Sequence, residues 1–334
     1  MDSPMSRRRR TIESGSLYEI SCRARSGLPF PARPIVEKLL KSALARALLF
    51  QKVSLVDFMW MGNHVHILVV AWDAEELVKF YGELQKNICE YVKRLLGLPN
   101  LSLWEGRPCV ALIPDIKTAC TRKAYFYLNP CRAGLINSVD EYPGYSSWKA
   151  FRTAKPTALA RVSERVAFIP QGRFKKAPHH DLSVQQERNL LEKLEAEVLC
   201  HHRINIFPNL WLAVFGVTNC DGIQFYNAEV LESVLQTERG LREARSKEGF
   251  RVIGVPRLRL QSLMRPHTPK VRSRRVFVIC IDPELRKKII AAIDRICDRC
   301  IACYHQWRQG NLLVEWPPGT FRPPLRPSAS ALSI

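Results

Sequence analysis

Met61-Gly62-Asn63-His64-Val65-His66-Ile67-Leu68-Val69-Val70 is the stretch on which the reading of this chain turns. Gly62-Asn63 is the two-residue pattern of a tight hairpin, with glycine at the position that wants a positive φ. Lys52 to Met61 before it and His64 to Trp72 after it therefore read as paired strands. Side chains alternate along a strand, so His64 and His66 share one face while Val65 points to the other. The rest of that strand is apolar, and two imidazoles have no packing purpose in it. At this spacing they can grip one divalent metal ion.

Working outward, Leu17 to Arg25 reads as a strand stopped by Ser26, Gly27 and Pro29, and Ile35 to Phe50 as a helix rich in Leu and Ala. Ala74 to Gly97 is an amphipathic helix with Leu77, Tyr81, Leu84, Ile88, Val92 and Leu95 on one face and Gly97 as its stop. Pro108 to Ile113 supplies a fourth strand, and Lys117 to Leu128 a helix ended by Pro130. The order strand, helix, strand, strand, helix, strand predicts an α+β fold. A mostly antiparallel, ferredoxin-like sheet with packed helices is the expected form. Residues 151–190 shift to Lys, Arg, Pro, Gln and His (Lys155-Pro156, Lys175-Lys176-Ala177-Pro178) and read as a basic linker. A second region, 191–334, is entered by a helix from Val184 to Cys200. It continues to a long helix from Asp282 to Arg308, a strand from Asn311 to Trp316 and a Pro-rich tail, with no internal repeat.

The 334 residues suit two domains, and 46% hydrophobic with 25% charged residues describes a globular chain, which excludes fibrous and disordered classes. No run approaches the ~18 apolar residues of a membrane span, and the N-terminus lacks a signal-peptide core, so a cytoplasmic, nucleoid-associated protein without a membrane partner is expected. With 51 Lys and Arg against 31 Asp and Glu the net charge is +20, shared as +7 over residues 1–150 and +13 over 151–334. Nucleic acid is the leading partner for such a polyanion-seeking surface, and the Arg7 to Arg10 run reads as a disordered arm. The 11 cysteines, an odd number, read as reduced core residues. Cys297, Cys300, Cys303 and His305, with the distant Cys200, His201 and His202, could be assembled into a zinc site. The same cysteines also fit an apolar helical stripe with Leu285, Ile289, Ile293, Ile296 and Tyr304, and steps of three string thiols along a helix instead of converging them.

A second group of residues bears on chemistry. Tyr125 and Asn129 stand four apart on one helix and share a face. A phenol, with its pKa near ~10, is a poor nucleophile unless a metal or a base helps it ionise. Asn129 can offer an amide oxygen to a metal, although Asn before Pro is also an ordinary helix stop. Tyr127 is an equally reasonable phenol; it points about 200° away from Tyr125, so only one of the two can face the histidines.

Four blocks carry a resemblance: Met61 to Leu68 as quoted, Leu103-Trp104-Glu105-Gly106-Arg107, Tyr125-Phe126-Tyr127-Leu128-Asn129-Pro130-Cys131-Arg132-Ala133-Gly134-Leu135, and Tyr142-Pro143-Gly144-Tyr145-Ser146-Ser147-Trp148. In order and spacing they resemble the single-tyrosine HUH transposases of the REP-associated tyrosine transposase branch. The resemblance covers about residues 15–150, and Trp316-Pro317-Pro318-Gly319-Thr320 is similar to a closing motif of longer members. It implies an HUH endonuclease core at 1–150, with His64 and His66 as ligands of Mg²⁺ or Mn²⁺, Asn129 as a third, and Tyr125 as the nucleophile that cleaves single-stranded or hairpin DNA through a 5′-phosphotyrosine. The function implied is a transposase, with transfer of the strand by reversal of that step. Since the phosphodiester energy is conserved, no nucleotide cofactor is needed, in keeping with the lack of a phosphate-loop motif. Arg107, Arg132, Trp104 and Trp148 become candidate DNA contacts, the aromatic pair having a core reading beside it. Two departures stand out: Gly62 replaces the family's Pro before Asn-His, and Cys131 replaces Val after Asn-Pro. The rival expectation is a non-catalytic hairpin-binding protein derived from a transposase. Residues 191–334 are expected to bind DNA or play an accessory part, and a homodimer is left open.

Overall fold

A computed structural model describes residues 11–49, 51–170, 182–198, 200–268 and 276–323. The Arg7 to Arg10 run, the Lys175-Lys176-Ala177-Pro178 stretch and the end of the Pro-rich tail lie outside the described residues. In chain order the elements are β1 (Ser16–Arg23), α1 (Pro34–Leu48), β2 (Val53–Trp60), β3 (His64–Ala71), α2 (Ala74–Leu95), β4 (Cys109–Ile113), α3 (Ile116–Tyr127) and α4 (Asn129–Arg132). They continue as α5 (Trp148–Thr153), β5 (Val162–Ala167), α6 (Val184–Ala196), β6 (His201–Ile206), α7 (Leu210–Val214), α8 (Cys220–Lys247), α9 (Val255–Arg259) and α10 (Pro283–Arg308).

The strands form one sheet in the order β4-β1-β3-β2-β6-β5. β1 pairs antiparallel with both β3 and β4, β2 antiparallel with β3, and β5 antiparallel with β6. The contact of β2 with β6 is parallel, so the sheet is mixed and the fold is α+β. Strand alternation splits the core in two. Tyr18, Ile20, Val65, Ile67 and Val69 pack on one face with Leu39 and Leu40 of α1 and Leu84 and Ile88 of α2. Leu17, Met59, Leu68 and Val70 pack on the other with Phe126 of α3, Trp211 of α7 and Val230 of α8. His64 and His66 have the parity of Leu68, so they emerge on the face covered by α3.

Local chemistry sets the ends of the elements. The Asp73 carboxylate accepts the N–H groups of Glu75 and Glu76 at the start of α2. At its end Gly97 takes φ 65°, which lets its own N–H reach Arg94 and that of Leu98 reach Lys93, as the glycine stop predicted. The β2–β3 turn forms differently from expectation. Met61 N–H donates to the His64 carbonyl at 2.8 Å, yet Gly62 is not among the residues with positive φ. Phe30 N–H donates to the Gly62 carbonyl at 2.9 Å, so the turn is pinned from outside and needs no left-handed residue.

Three further expectations are corrected. The stretch 151–190 was expected as a linker, but it contains β5, whose residues pair with β6 and extend the sheet. The helix at 184 ends at Ala196, and His201 already belongs to β6. Residues 311–316 form no strand: Leu312 and Leu313 are exposed, so there is no buried face for alternation to serve. The Trp316 to Thr320 motif instead returns to the start of the chain. Ile12 N–H donates to the Gly319 carbonyl at 3.0 Å, and a Cβ on Gly319, at φ 72°, would fall 2.3 Å from the Ile12 carbonyl oxygen. Among the described residues no helix is long and apolar enough to cross a membrane.

Candidate functional site

β3 brings His64 and His66 out side by side, with ring centroids 5.1 Å apart and planes near perpendicular. Each ring is held by its Nδ1. That of His64 meets the Asn63 side-chain oxygen at 2.7 Å, and that of His66 meets a carboxylate oxygen of Glu19 at 2.7 Å. Nε2 of each ring is thereby the nitrogen left for a ligand, the arrangement in which an outer carboxylate or amide orients a metal-binding imidazole. Burial, with the neighbouring His66, Arg23 and His267 adding to it, pushes the His64 pKa down to about 3. A neutral imidazole is the form that ligates a cation.

Glu19, on β1 beside β3, joins this pair to α3. Its side chain is buried, and it accepts hydrogen bonds from both Nε and Nη2 of Arg122, the second at 2.7 Å. Burial alone would raise its pKa; the bonds from Arg122 and His66 overcome that and hold it at about 2. The Arg122 guanidinium also lies over the Tyr125 ring at 4.5 Å, and that of Arg132 lies over the same ring at 5.0 Å. Tyr125 is 38% exposed. Its phenol is thus accessible and flanked by two cations, on the helix tied through Glu19 to His66.

Tyr127 occupies the opposite environment. It is wholly buried, donates its hydroxyl to Asp57 and stacks among Trp148 and Phe151. Asp57 lies just after a bulge in β2 and also receives Lys123 and Ser147. Lys123 Nζ sits 4.4 Å from the Phe151 ring centre and 5.2 Å from that of Trp211. Burial pushes the Asp57 carboxyl up and the Lys123 ammonium down, each opposed by the charge of the other. Burial alone therefore separates the two phenols that the sequence left open.

Asn129 was expected at a helix stop, but α3 runs through Leu128 into α4 with little interruption. Pro130 has no N–H to give the Phe126 carbonyl one turn back. The side-chain Nδ2 of Asn129 makes that bond instead, at 3.1 Å, which leaves Oδ1 as the amide's free ligating atom.

His64, His66, Tyr125 and Asn129 line one open cleft of about 750 Å³, together with Glu19, Arg107, Arg122 and Arg132. Arg107 and Arg132 are exposed in it. The two tryptophans proposed to touch DNA are not among its walls. Trp148 is buried, with Nε1 donating to Asp140 and its ring against Tyr127, which corrects that expectation: no face is left for a base. Trp104 is half-buried against Phe30 and donates Nε1 to the Gln85 carbonyl. Glu19, Arg122 and Asn63 were missed. Asn63 adjoins His64 in sequence and could have been suspected, whereas Glu19 and Arg122 meet only across 103 residues. Among the described residues no three His, Cys, Asp or Glu side chains converge on a point that could hold a metal. Cys297 packs with Val278, Cys280 and Ile293 as part of an apolar stripe, and Cys300 is buried on the same helix.

No family model matches the chain, and no curated protein does. A solved structure of a REP-associated tyrosine transposase bound to a REP hairpin is similar to it at 18% identity, covering 44% of this chain and 86% of that one with a TM-score of 0.38.

Proposed function

We propose that the protein is a metal-dependent enzyme that cleaves and rejoins single-stranded or hairpin DNA, a transposase of the HUH type. One observation supports it above all: two Nδ1-anchored imidazoles, an accessible tyrosine between two guanidiniums and an amide oxygen donor share one basic cleft. In this reading residues 1–150 are a ferredoxin-like catalytic core and 191–334 a basic extension that grips DNA.

His64 and His66, with Asn129 Oδ1 as third donor, would hold Mg²⁺ or Mn²⁺ in this reading. When bound, such an ion polarises the scissile phosphate and stabilises the charge that builds on it. The work of the chain's own residues follows from their placement. Arg107 and Arg132 hold phosphate oxygens and orient the strand. Arg122, fixed by Glu19, keeps positive charge over the Tyr125 ring as its oxygen loses a proton. The Tyr125 oxygen forms a bond to phosphorus, the bond from phosphorus to the 3′ oxygen breaks, and that oxygen takes up a proton to become a free 3′-hydroxyl. Attack by a 3′-hydroxyl on the 5′-phosphotyrosine runs the same exchange backwards and joins a strand.

The test is a labelled DNA hairpin incubated with the full chain and Mg²⁺ or Mn²⁺. A covalent protein–DNA adduct that is lost in Tyr125→Phe and in His64→Ala supports the enzyme. Tight binding without any adduct from the unaltered protein overturns it in favour of a hairpin-binding protein that does not cut.

A further inference from the structure

Beyond α8 the chain turns back onto the segment that follows α4. The Phe250 ring lies where a Cβ on Gly134 would approach it to 3.0 Å, and Ile253 and Gly254 donate their N–H groups to the carbonyls of Gly134 and Leu135 at 3.1 and 2.9 Å. Those carbonyls follow directly on Arg132 and Ala133, which line the cleft. α9 comes next, held by the buried Leu258. Leu263, also buried, packs with Met264 against Pro29 and Phe30. Met264 has φ 55°, the one non-glycine residue with positive φ among the described residues. Such a conformation persists where its surroundings over-determine it. Here the surroundings are the Leu28 N–H on the Arg265 carbonyl at 2.9 Å and the Gly27 N–H on that of His267 at 3.4 Å. Leu28 in turn packs beside the β2–β3 turn, where a Cβ on Gly62 would meet its side chain at 3.4 Å. Residues 250–268 thus join the segment that follows Arg132 to the Gly27–Leu28 turn, which sits beside the β2–β3 turn that carries His64.

The outward side of this strap carries Arg251, Arg257, Arg259 and Arg265, all exposed. None of the four forms an ion pair among the described residues, whereas Arg33 and Arg122 inside the protein are paired with Glu187 and Glu19. A strap anchored by two buried leucines and four backbone bonds, bearing unneutralised guanidiniums beside a basic cleft, is matched by a phosphodiester backbone.

We propose that residues 250–268 are the outer wall of the nucleic-acid path, on which Arg257, Arg259 and Arg265 hold the phosphates of the DNA strand that passes through the cleft. The proposal rests on the reading of the cleft as a DNA site. Its test is separable from cleavage: equilibrium binding of a labelled DNA hairpin with single-stranded flanks, measured across a salt series with EDTA present. The Arg257→Glu, Arg259→Glu, Arg265→Glu triple variant is compared with a charge-matched triple, Lys86→Glu, Arg188→Glu, Lys193→Glu, on α2 and α6, none of whose positions lines the cleft. The expected result is about tenfold or greater weakening at low salt and a salt slope lower by about two to three for the strap variant, with a much smaller change for the control. Thermal melting checks that both variants are folded. Equal losses in the two triples, or an unchanged slope in the strap variant, overturn the proposal. Should the unaltered protein form no adduct while the strap variant still binds less tightly than the control, the nicking reading fails and the wall stands. Should it form the adduct while the two triples bind alike, the nicking reading stands and the wall fails.

Discussion

Tyr125 and Tyr127 are two residues apart on α3, and everything else about them differs. Tyr125 is open to the cleft between Arg122 and Arg132; Tyr127 is sealed against Asp57 with aromatic rings around it. The helix has two faces, and each is fastened to the sheet by a basic residue on a buried carboxylate: Arg122 on Glu19 of β1, and Lys123 on Asp57 of β2. Glu19 is shared with a candidate metal ligand, while Asp57 is shared with a hydroxyl and a phenol of the core. The same residue type is thus left open to the cleft on one side and locked into the core on the other by nothing more than a rotation about the helix axis.

The sharpest break would come from exchanging the two phenols in function. Tyr125→Phe is expected to remove the covalent adduct altogether with no measurable loss of stability. Tyr127→Phe should keep the adduct but lower stability by about 1–3 kcal/mol, because Asp57 loses a buried donor. Adduct formation that survives Tyr125→Phe and disappears in a folded Tyr127→Phe protein would reverse the assignment. Next in size is the core ion pair. Lys123→Met leaves the Asp57 carboxylate without its charge partner and should destabilise by about 3–5 kcal/mol in urea unfolding, with much of that recovered when Asp57→Asn is added. A double variant no better than the single one would mean that the pair is not coupled as its geometry indicates.

Glu19 gives a smaller, pH-dependent effect. Its folded pKa of about 2 lies below the unfolded carboxylate value of about 4.3, so its contribution is fully present above that value and fades as pH falls towards 2. The stability gap between the unaltered protein and Glu19→Gln, on the order of 2–3 kcal/mol at neutral pH, should therefore narrow across this window. Melting temperatures taken at stepwise lower pH measure it, and a gap that widens on acidification contradicts the bonding described. Smallest of all is Gly62→Ala. The residue has an ordinary φ, and its new Cβ would meet Leu28 at 3.4 Å, so a change within about 1 kcal/mol is expected and the histidine turn should hold.

The comparison also separates what sequence can and cannot convey. The alternation of β3 and the helical spacing of Tyr125 and Asn129 are local periodicities, and each puts its own pair on one face; that the two pairs line one cleft is set by the packing of α3 on the sheet. Two tyrosines of equal standing in the sequence could not be ranked, because their difference lies in burial contributed by Trp148 and Phe151, which belong to a later helix. Glu19 stands in an apolar strand with no marker of its role, since its partners are 47 and 103 residues away. The same holds for β5 and β6. Val162–Ala167 and His201–Ile206 are short and rich in polar residues, and only their pairing with each other and the parallel contact of Leu55 with Ile206 make them part of the sheet. The role of Asn129 was half visible: the proline after it announced a lost hydrogen bond, but not that the amide itself would restore it.

The two fastenings of α3 have a mechanical result. β1 and β2 are the immediate neighbours of β3 on either side, so the helix is moored to both banks of the strand that bears the imidazoles. Neighbouring strands keep a spacing of about 4.8 Å, a dimension that hydrogen bonding makes stiff. Slippage of the helix along the sheet would have to rupture both moorings together. The separation between Tyr125 and the two imidazoles is therefore gauged by the spacing of the strands beneath the helix.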